Sequence, residues 1–515
     1  MWMSAVLPIL LLLVMIMVFK VSIVRAALVA LIVTLITTKF VYKGNILLMW
    51  NEILKGGWSS LNIILVIWTA IFLSEVVNRA GVFEVFKGEL EQVIPDRVLQ
   101  IITVAWIFPS FLQGITGFGV PVAICAPLLV GLGINPISAV TMTLLGQAWG
   151  STFGTLALAW RVMVNQTSLN SSPSLLMEAA FYAAILIWVW NFIAGTSIMF
   201  IYKGRKIQKR DGLIALLISF IHGLGQLYFV RINTELSCFI PAVISTICIF
   251  ILGRFTYPKN TRKESEIKQE SRLNKAFFVY YLLTVITLVV LLTKPLREFL
   301  EGVSISFSFS KTETGYHFVN EAVTNYSPIY ILTHASLFLF ISGLIGYLYY
   351  RKINWIKAPE IKLISKHVMK KSTPSTIAIF LFISISKLML GSGQIHVLSE
   401  GIAVALESVY VFISPFIGLL GTFITSSNLA SNILFSNFQE NTARALNLSI
   451  PLILATQTSG GVVGSVLSPG NIVLGATATG ILGKENKVLS KLIPIALVSI
   501  VIIGLMGMVI NSYIN

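Results

Sequence analysis

The chain has 515 residues, of which 56% are hydrophobic and 11% are charged. Soluble domains carry nearer to ~25% charged residues, so this composition excludes a soluble enzyme. At about 20 residues for each membrane-spanning helix, the apolar content predicts an all-α polytopic integral membrane protein with about 12–14 transmembrane helices. The net charge of +16 is interpreted first as a topology signal, because Lys and Arg are retained in cytoplasmic loops.

The apolar segments predict the spans in chain order. The first of them, residues 2–19, is followed directly by a second span and by no small-residue cleavage site, so it is interpreted as a retained helix rather than a signal peptide. The later segments are 22–38, 61–78, 98–131, 136–160, 176–202, 213–230, 236–252, 276–293, 329–350, 375–391, 401–424, 446–467 and 488–510.

Three polar connections are strongly basic and are predicted to face the cytoplasm. They run from Lys203 to Arg210, from Arg254 to Lys275 and from Arg351 to Lys371. Two predicted spans separate each connection from the next, which places all three on one side. The connection from Lys294 to Pro328 falls on the opposite side by the same count.

The segment 254–275 has the position and the composition of a linker, being rich in Lys, Glu, Gln and Ser. It divides the chain into an N-terminal transmembrane half (1–253), a basic cytoplasmic linker (254–275) and a C-terminal transmembrane half (276–515). We do not interpret its charge as a nucleic-acid site. The three cysteines lack the spacing of a disulfide framework or a zinc site, and neither a metal nor a cofactor is predicted.

Two regions interrupt the apolar pattern with glycine, proline and small polar residues. The first extends from Phe108 to Pro121, and the second from Gly421 to Asn432. Unsatisfied backbone groups in hydrocarbon cost several kcal/mol each, so such breaks persist where they are buried in protein or line a cavity. Paired interruptions in two halves are typical of a transporter binding site. Close helix packing through glycine and serine is the alternative interpretation.

A weak internal repeat follows the two breaks. Both halves contain Q-x-x-G-x-x-x-G, with Gln147, Gly150 and Gly154 corresponding to Gln457, Gly460 and Gly464 at a constant offset of 310 residues. The repeat predicts two related halves, each contributing a broken or re-entrant segment to one central site.

At these residues the sequence resembles the lactate permease family of bacterial secondary transporters, which includes glycolate permeases. The likeness rests on Gln113-Gly-Ile-Thr-Gly-Phe-Gly-Val-Pro-Val-Ala-Ile124, on Ser426-Ser-Asn-Leu-Ala-Ser-Asn-Ile-Leu-Phe435 and on Gly460-Gly-Val-Val-Gly-Ser-Val-Leu-Ser-Pro469. The resemblance implies proton-linked uptake of 2-hydroxy monocarboxylates such as lactate and glycolate across the bacterial inner membrane.

Three positions depart from the family pattern. The resemblance implies Glu, Asp and Lys at the positions of Gln113, Asn428 and Ser465, and all three charges are absent here. A carboxylate at membrane depth can carry a proton, whereas an amide does not titrate. Coupling through another group, coupling to Na⁺ and absence of coupling therefore remain open.

Other charged residues are candidates for these roles. Lys387 lies inside an apolar run and either faces a cavity or extends to the membrane edge. Glu75 is the acid that best suits membrane depth, and it is a candidate replacement proton site. Arg161 and Arg444 are interpreted as interfacial.

The predicted substrate site combines both broken segments with the repeat. The mechanism that we predict is alternating access, with backbone N–H groups binding an organic anion. The residues assigned to this site are Gln113, Gly114, Thr116, Gly117, Gly119, Gln147, Ser426, Ser427, Asn428, Ser431, Asn432, Gln457, Gly460, Gly461 and Ser465.

The predicted function is secondary active import of a small 2-hydroxy monocarboxylate, coupled to H⁺ or another cation. The expected partners are the organic anion, the coupling cation and the lipid bilayer, and a homo-oligomer is left open. A Na⁺-coupled carrier of a different organic anion and a passive anion channel are the alternatives. The chain contains no G-x-S-x-G, H-E-x-x-H or Walker-type motif, so an enzyme is not predicted.

Overall fold

The structure is a computed structural model that describes residues 1–19, 21–86, 94, 96–117, 119–256, 264–357 and 360–514. Ten helical segments within these ranges are long and apolar enough to cross a membrane, and four further apolar helices are shorter. The prediction of a polytopic all-α membrane protein is confirmed. The ten candidate spans are fewer than the predicted 12–14, because several apolar stretches form helices that turn back or break.

The helices of the first half are built from the predicted apolar runs. Two π-helical turns interrupt or extend them, at Thr37–Val41 and at Thr103–Ile107. In chain order the helices are α1 (Trp2–Met17), α2 (Ile23–Ile36), α3 (Ile46–Arg79), α4 (Arg97–Ile115), α5 (Val120–Gly131), α6 (Pro136–Ala148), α7 (Gly154–Gln166), α8 (Pro173–Lys203), α9 (Lys209–Ile232) and α10 (Phe239–Thr256).

The second half adds ten helices and four short strands within the described residues. They are α11 (Glu264–Leu292), α12 (Lys294–Glu301), β1 (Ser304–Phe309), β2 (Thr312–Glu313), β3 (Val319–Asn320), β4 (Val323–Tyr330), α13 (Ala335–Lys352), α14 (Glu360–Gly391), α15 (Gln394–Leu406), α16 (Tyr410–Thr425), α17 (Asn428–Ala445), α18 (Ile450–Leu467), α19 (Pro469–Ala478) and α20 (Glu485–Ile514).

The first broken segment is a helical hairpin. Helix α4 ends at Ile115 and α5 begins at Val120, and the two helices return to a common base, where an ideal Cβ on Gly133 would lie 3.7 Å from Arg97 Nη2. The long apolar stretch 98–131 is therefore two helices separated by a break and not one span. Helices α6 and α7 follow as a broken pair, with a 3-10 turn at Trp149–Ser151.

The second broken segment repeats this arrangement. Helices α16 and α17 form a hairpin whose base is held by a 2.6 Å hydrogen bond from the Tyr410 hydroxyl to Gln439 Oε1. The pair α18 and α19 then breaks at Ser468, whose side chain caps α19 by accepting from Asn471 N at 3.4 Å. Each half thus contributes one hairpin and one broken helix, in the same order along the chain.

The connection from Lys294 to Pro328 contains structure that the apolar pattern did not predict. After the amphipathic helix α12, β1 pairs antiparallel with β4, and β2 pairs antiparallel with β3. The sequence of β1, Ser-Ile-Ser-Phe-Ser-Phe, alternates small polar and apolar residues with the period of a strand. The predicted span 329–350 starts inside β4, which ends at Tyr330, and its helix begins only at Ala335.

Two predicted polar connections are largely helical. Helix α14 begins at Glu360, so its first turns include the basic residues up to Lys371. The predicted linker 254–275 has residues 257–263 outside the described part of the chain, and its remaining backbone continues α10 to Thr256 and begins α11 at Glu264. The division of the chain at this linker stays a prediction.

Candidate functional site

The two breaks meet at one cavity of about 560 Å³, a volume within the usual range of small-molecule sites. The N-terminal end of α2 and one face of α14 complete its wall. Its polar lining comes from both halves of the chain and comprises Ser22, Gln113, Gln147, Ser151, Thr155, Ser375, Thr425, Ser426, Ser427, Asn428, Ser465 and Asn471. No Asp, Glu, Lys, Arg or His is found among the lining residues that the structure describes.

The first break depends on glycine. Gly117 and Gly119 have φ values of +57° and +76°, in the left-handed region that glycine adopts at little cost. An ideal Cβ on Gly117 would also lie 2.4 Å from Thr155 Oγ1, so any side chain at this position would collide with the start of α7. Gly119 lines the cavity directly as the N-cap of α5.

The second break is made by two serines. Ser426 has a φ of +57°, and Ser427 is extended and caps α17 by accepting a hydrogen bond from Ala430 N at 3.4 Å. Ser426 Oγ also accepts from Gly470 N at 3.1 Å. This contact joins the hairpin α16–α17 to the first turn of α19.

The N-termini of some helices and the C-termini of others face the cavity. The first residues of α17 and α19 and the N-cap of α5 line it, and helix N-termini carry partial positive charge and N–H groups that bind anions. The last turns of α6, α16 and α18 reach it through Gln147, Thr425 and Ser465. The site therefore has complementary surfaces for an anion and for a cation without any ionised side chain.

Asn428 joins the halves of the chain at the cavity wall. Its Nδ2 donates to Thr152 Oγ1 at 3.0 Å and to the Thr458 carbonyl at 3.2 Å. One turn further along α17, Asn432 Nδ2 donates to the Ala159 carbonyl at 3.1 Å and to Thr458 Oγ1 at 3.0 Å. These bonds hold α17 between α7 and α18.

The remaining predicted site residues that line the cavity come from three different helices, α4, α6 and α18. Gln113 extends from α4, and Gln147 from the last turn of α6, where its Oε1 has no donor among the described residues. Ser465 of α18 accepts a 3.1 Å hydrogen bond from Ser151 Oγ. With Gly119, Ser426, Ser427 and Asn428, these complete the predicted site residues that line the cavity.

The structure places the other predicted site residues behind the cavity wall. Gln457, which was expected to line the cavity as Gln147 does, instead donates from Nε2 to Ser431 Oγ at 3.2 Å and accepts from Gln439 Nε2 at 2.8 Å. Ser431 in turn donates to the Gly418 carbonyl at 3.0 Å. Asn432 and Thr116 are also buried and hydrogen-bonded, and they lie outside the cavity lining. These residues support the hairpin and do not face the cavity.

Most of the predicted site glycines serve helix packing. An ideal Cβ on Gly460 would lie 1.9 Å from the Pro415 carbonyl oxygen, and one on Gly114 would lie 3.3 Å from Phe239 Cα. Gly461 packs against Asn428 Oδ1 and Thr422 Oγ1. Close approach through glycine, the alternative interpretation, applies to these three positions.

The charged candidates lie outside the cavity. Arg161 Nη1 pairs with Glu235 at 2.8 Å. Lys387 is 6% exposed, and its Nζ lies 5.7 Å from the centre of the Tyr326 ring of β4. Neither residue lines the wall of the cavity.

Glu75 is buried near the end of α3 and is contacted by two cationic side chains and a histidine. Its Oε1 lies 3.2 Å from Arg79 Nε and 2.9 Å from His367 Nδ1, and its Oε2 lies 3.3 Å from Lys371 Nζ. The last two residues belong to α14, two turns and one turn before the cavity residues of that helix. Glu75 therefore connects α3 to α14 and does not line the cavity.

We expect the Glu75→Gln substitution to lower the free energy of unfolding by about 1–2 kcal/mol, because Arg79 and Lys371 lose their carboxylate partner but stay partly solvated. The apparent melting temperature in detergent measures this change. Glu298→Gln, at an exposed pair with Lys294, is the matched control and should have little effect. A loss of pH-driven uptake at unchanged melting temperature would instead favour Glu75 as a proton carrier.

Sequence reasoning missed the contribution of α14. Pro374, Ser375, Ala378, Ile379 and Phe382 line the cavity, although they belong to an uninterrupted apolar helix. The proline and serine at 374 and 375 were the available signal, since proline inside a helix frees backbone groups that a cavity or a neighbour must satisfy.

Comparison with known proteins places the whole chain in one family. A profile described as L-lactate permease matches residues 2–514. The chain belongs to the L-lactate permease family. It is 27% identical over 503 residues to an L-lactate permease of Halalkalibacterium halodurans, covering 93% of this chain and 91% of that protein. It is 24% identical to the glycolate permease GlcA of Escherichia coli, covering 85% and 83%.

Among solved structures, the chain is similar to the YdaH transporter of Alcanivorax borkumensis, with a TM-score of 0.47 and 12% sequence identity over 89% of this chain and 86% of that one. Membership of the permease family confirms the resemblance found in the sequence. This member of the L-lactate permease family is a multi-pass protein of the bacterial inner membrane and a permease, not an enzyme.

Proposed function

We propose that this chain is a secondary active transporter that imports a small 2-hydroxy monocarboxylate across the inner membrane, coupled to a cation. The observation that carries the proposal is the convergence of the α5, α17 and α19 N-termini on one cavity formed by both halves. Relatives named for L-lactate and for glycolate support this substrate class.

The proposed binding mode assigns each part of the substrate to a surface of the cavity. The carboxylate binds at the first turn of α17, where backbone N–H groups have no intrahelical acceptor. The 2-hydroxyl contacts Gln113 or Gln147, because amide side chains both donate and accept hydrogen bonds. Leu158, Ile379 and Phe382 supply an apolar surface for the methyl group of lactate.

The same cavity contains all three positions at which the family pattern implies a charge. Gln113, Asn428 and Ser465 line it together, so the departures concern one site and not three unrelated places. The local charge that the side chains of relatives would provide is replaced here by helix ends and neutral amides. This supports a transport site that has kept its architecture and changed its coupling.

We infer that the two halves are related by inverted topology and that transport follows alternating access. The base of the first hairpin lies on the side of Arg210, which pairs with Asp96 at 2.7 Å just before α4. Near the base of the second hairpin, Ser168 N, beyond the end of α7, donates to Glu440 of α17 at 3.1 Å. Hairpins entering from opposite sides support alternating exposure of a central site.

We infer from its lining that the cavity opens towards the side that the basic segments predict to be cytoplasmic. Its wall includes Ser22 at the start of α2 and Ser375, one turn after Lys371 on α14. This conformation therefore corresponds to an inward-facing state of the proposed cycle.

We expect Ser375→Cys to react with a membrane-impermeant thiol reagent from the cytoplasmic side and to be protected by L-lactate. Cys125 and Cys238 are fully buried, so a Cys248→Ser background removes the remaining partly exposed thiol. Ser304→Cys, on the exposed β1 strand, is the matched control and should react from the opposite side. Equal labelling of Ser375→Cys from both sides would contradict an inward-facing cavity.

The proposed function is tested by L-lactate counterflow in proteoliposomes that contain the purified protein. Exchange of labelled for unlabelled lactate, saturable and inhibited by glycolate, is the expected result. Concentrative uptake under a pH gradient or a Na⁺ gradient, imposed separately, identifies the coupling ion. Lactate conductance without counterflow would indicate a passive anion channel, and no flux of lactate would indicate a different solute.

A further inference from the structure

Two buried oxygen atoms at the second break have no hydrogen-bond donor among the described residues. They are Asn428 Oδ1 and Thr422 Oγ1, on side chains that are 4% and 0% exposed. Buried acceptors in native proteins are almost always satisfied, so an unsatisfied one indicates a missing water, ion or function. Asn428 also lines the cavity, so two such neighbouring atoms at its wall point to a bound water or ion.

The direction of the Asn428 amide is fixed by its surroundings. Its Nδ2 lies 3.2 Å from the Thr458 carbonyl oxygen, which can only accept a hydrogen bond. Exchanging the amide nitrogen and oxygen would place two acceptors against each other. The oxygen must therefore face the other way, towards Gly461 and Thr422.

The two oxygens converge on the same space. An ideal Cβ on Gly461 would lie 1.9 Å from Asn428 Oδ1 and 2.9 Å from Thr422 Oγ1. The oxygens are therefore at most 4.8 Å apart, the sum of these distances, which is a separation that two ligands of one cation can have. Any residue larger than glycine at position 461 would collide with both oxygens.

The last turn of α16, to which Thr422 belongs, offers backbone carbonyl oxygens as further candidate ligands. Helix α16 ends at Thr425, immediately before the left-handed Ser426, and the last carbonyls of a helix have no intrahelical donor. They also carry the partial negative charge of the helix C-terminus. In transporters, such half-helix C-termini coordinate Na⁺.

We propose that Asn428 Oδ1, Thr422 Oγ1 and the C-terminal carbonyls of α16 bind Na⁺, and that this Na⁺ is the coupling ion of the proposed lactate transport. The inference rests on the proposed function. All the side-chain ligands are neutral oxygens, which suits a monovalent hard cation, whereas Ca²⁺ and Mg²⁺ sites usually include carboxylates. The amide of Asn428 holds a cation where a carboxylate would hold a proton.

The position of this site explains how the ion and the substrate would be coupled. Na⁺ binds at the C-terminus of α16, and the carboxylate binds at the N-terminus of α17, so the two ions occupy opposite sides of one break. Their attraction makes binding of each favour binding of the other. The increase in lactate affinity that Na⁺ causes must equal the increase in Na⁺ affinity that lactate causes.

The test measures the Na⁺ dependence of L-lactate uptake by the purified full-length protein in proteoliposomes, with choline as the replacement cation. Thr422→Val keeps the shape of the side chain and removes the oxygen. We expect its half-saturating Na⁺ concentration to rise at least about tenfold, with the lactate KM at saturating Na⁺ changed less than about twofold. Thr287→Val, at a buried hydroxyl of α11 that also lacks a partner, is the matched control and should behave as the wild type.

A readout without substrate separates this proposal from the proposed function. NaCl should raise the apparent melting temperature of the wild type and of Thr287→Val more than KCl or choline chloride does, and this difference should disappear in Thr422→Val. Equal effects of the three salts on the wild type would overturn the Na⁺ site even if lactate is transported. A Na⁺-specific effect without lactate counterflow would retain the cation site and overturn its role in lactate transport.

The Asn428→Asp variant tests the exchange of cation for proton directly. A carboxylate at this position can titrate, so we expect a pH gradient to drive lactate uptake in Asn428→Asp and a Na⁺ gradient to drive it in the wild type. Uptake by the wild type that follows the pH gradient and ignores Na⁺ would overturn the proposal.

Discussion

Replacing Gly460 with alanine is expected to lower the free energy of unfolding by about 3 kcal/mol, near the upper end of the usual cost of overpacking. An added Cβ would lie 1.9 Å from the carbonyl oxygen of Pro415, and a Cβ on Gly418 would lie equally close to the Gln457 carbonyl. Both contacts are with backbone, which cannot rotate away as a side chain does. Helices α16 and α18 would have to separate, and the hairpin that carries Ser426 and Ser427 would move with them.

The apparent melting temperature and the counterflow rate measure this effect together. Gly212→Ala is the matched control, because an added Cβ there meets nothing within 4 Å and alanine favours the helix by up to ~1 kcal/mol. Gly212→Ala should keep or raise the melting temperature. A Gly460→Ala protein as stable as the wild type would show that the α16–α18 contact is not as close as described.

Replacing Asn428 with alanine is expected to lower kcat/KM for L-lactate about 100-fold. The substitution removes the donors to Thr152 and Thr458, and it removes a polar group from the cavity wall. Loss of a contact to a bound ion, worth up to about 3 kcal/mol for a hydrogen bond or ligand to a charged group, corresponds to about two orders of magnitude. Initial rates of uptake over a range of lactate concentrations measure the change.

Asn441→Ala is the matched control for this prediction. Asn441 lies on the same helix, and its Nδ2 donates to the carbonyl of Asn437, four residues earlier in that helix. Its loss should change uptake less than about twofold. Similar uptake by Asn428→Ala and the wild type would contradict the assignment of Asn428 to the transport site.

The proposed site shows how an anion can be bound where the side chains are neutral. The partial charges at the N-termini of α5, α17 and α19 are fixed by the backbone and do not depend on pH. A titratable pair in the cavity would bind substrate only in one protonation state. We therefore expect lactate affinity at saturating Na⁺ to change little with pH, apart from the protonation of lactate itself.

Composition and local sequence were sufficient to predict the class of the protein and the positions of both breaks. A charged fraction of only 11% indicates a polytopic membrane protein. Glycine, proline and serine at membrane depth indicate where the helices end. Gly119, Gln113, Gln147, Ser426, Ser427, Asn428 and Ser465 were predicted on this basis, and they line one cavity. The strands at 304–330 were missed although their alternating pattern was present.

Only the tertiary structure decided which side chains face the cavity. In a soluble helix the apolar face points inwards, but in a membrane protein both lipid and protein interior are apolar, so periodicity does not fix the rotation of a helix about its axis. For this reason Gln147 and Gln457, equivalent in the repeat, differ in the structure: Gln147 lines the cavity, and Gln457 is bonded to Ser431 and Gln439 behind it. The sequence by itself determined where the helices break, and packing between distant helices determined what the breaks enclose.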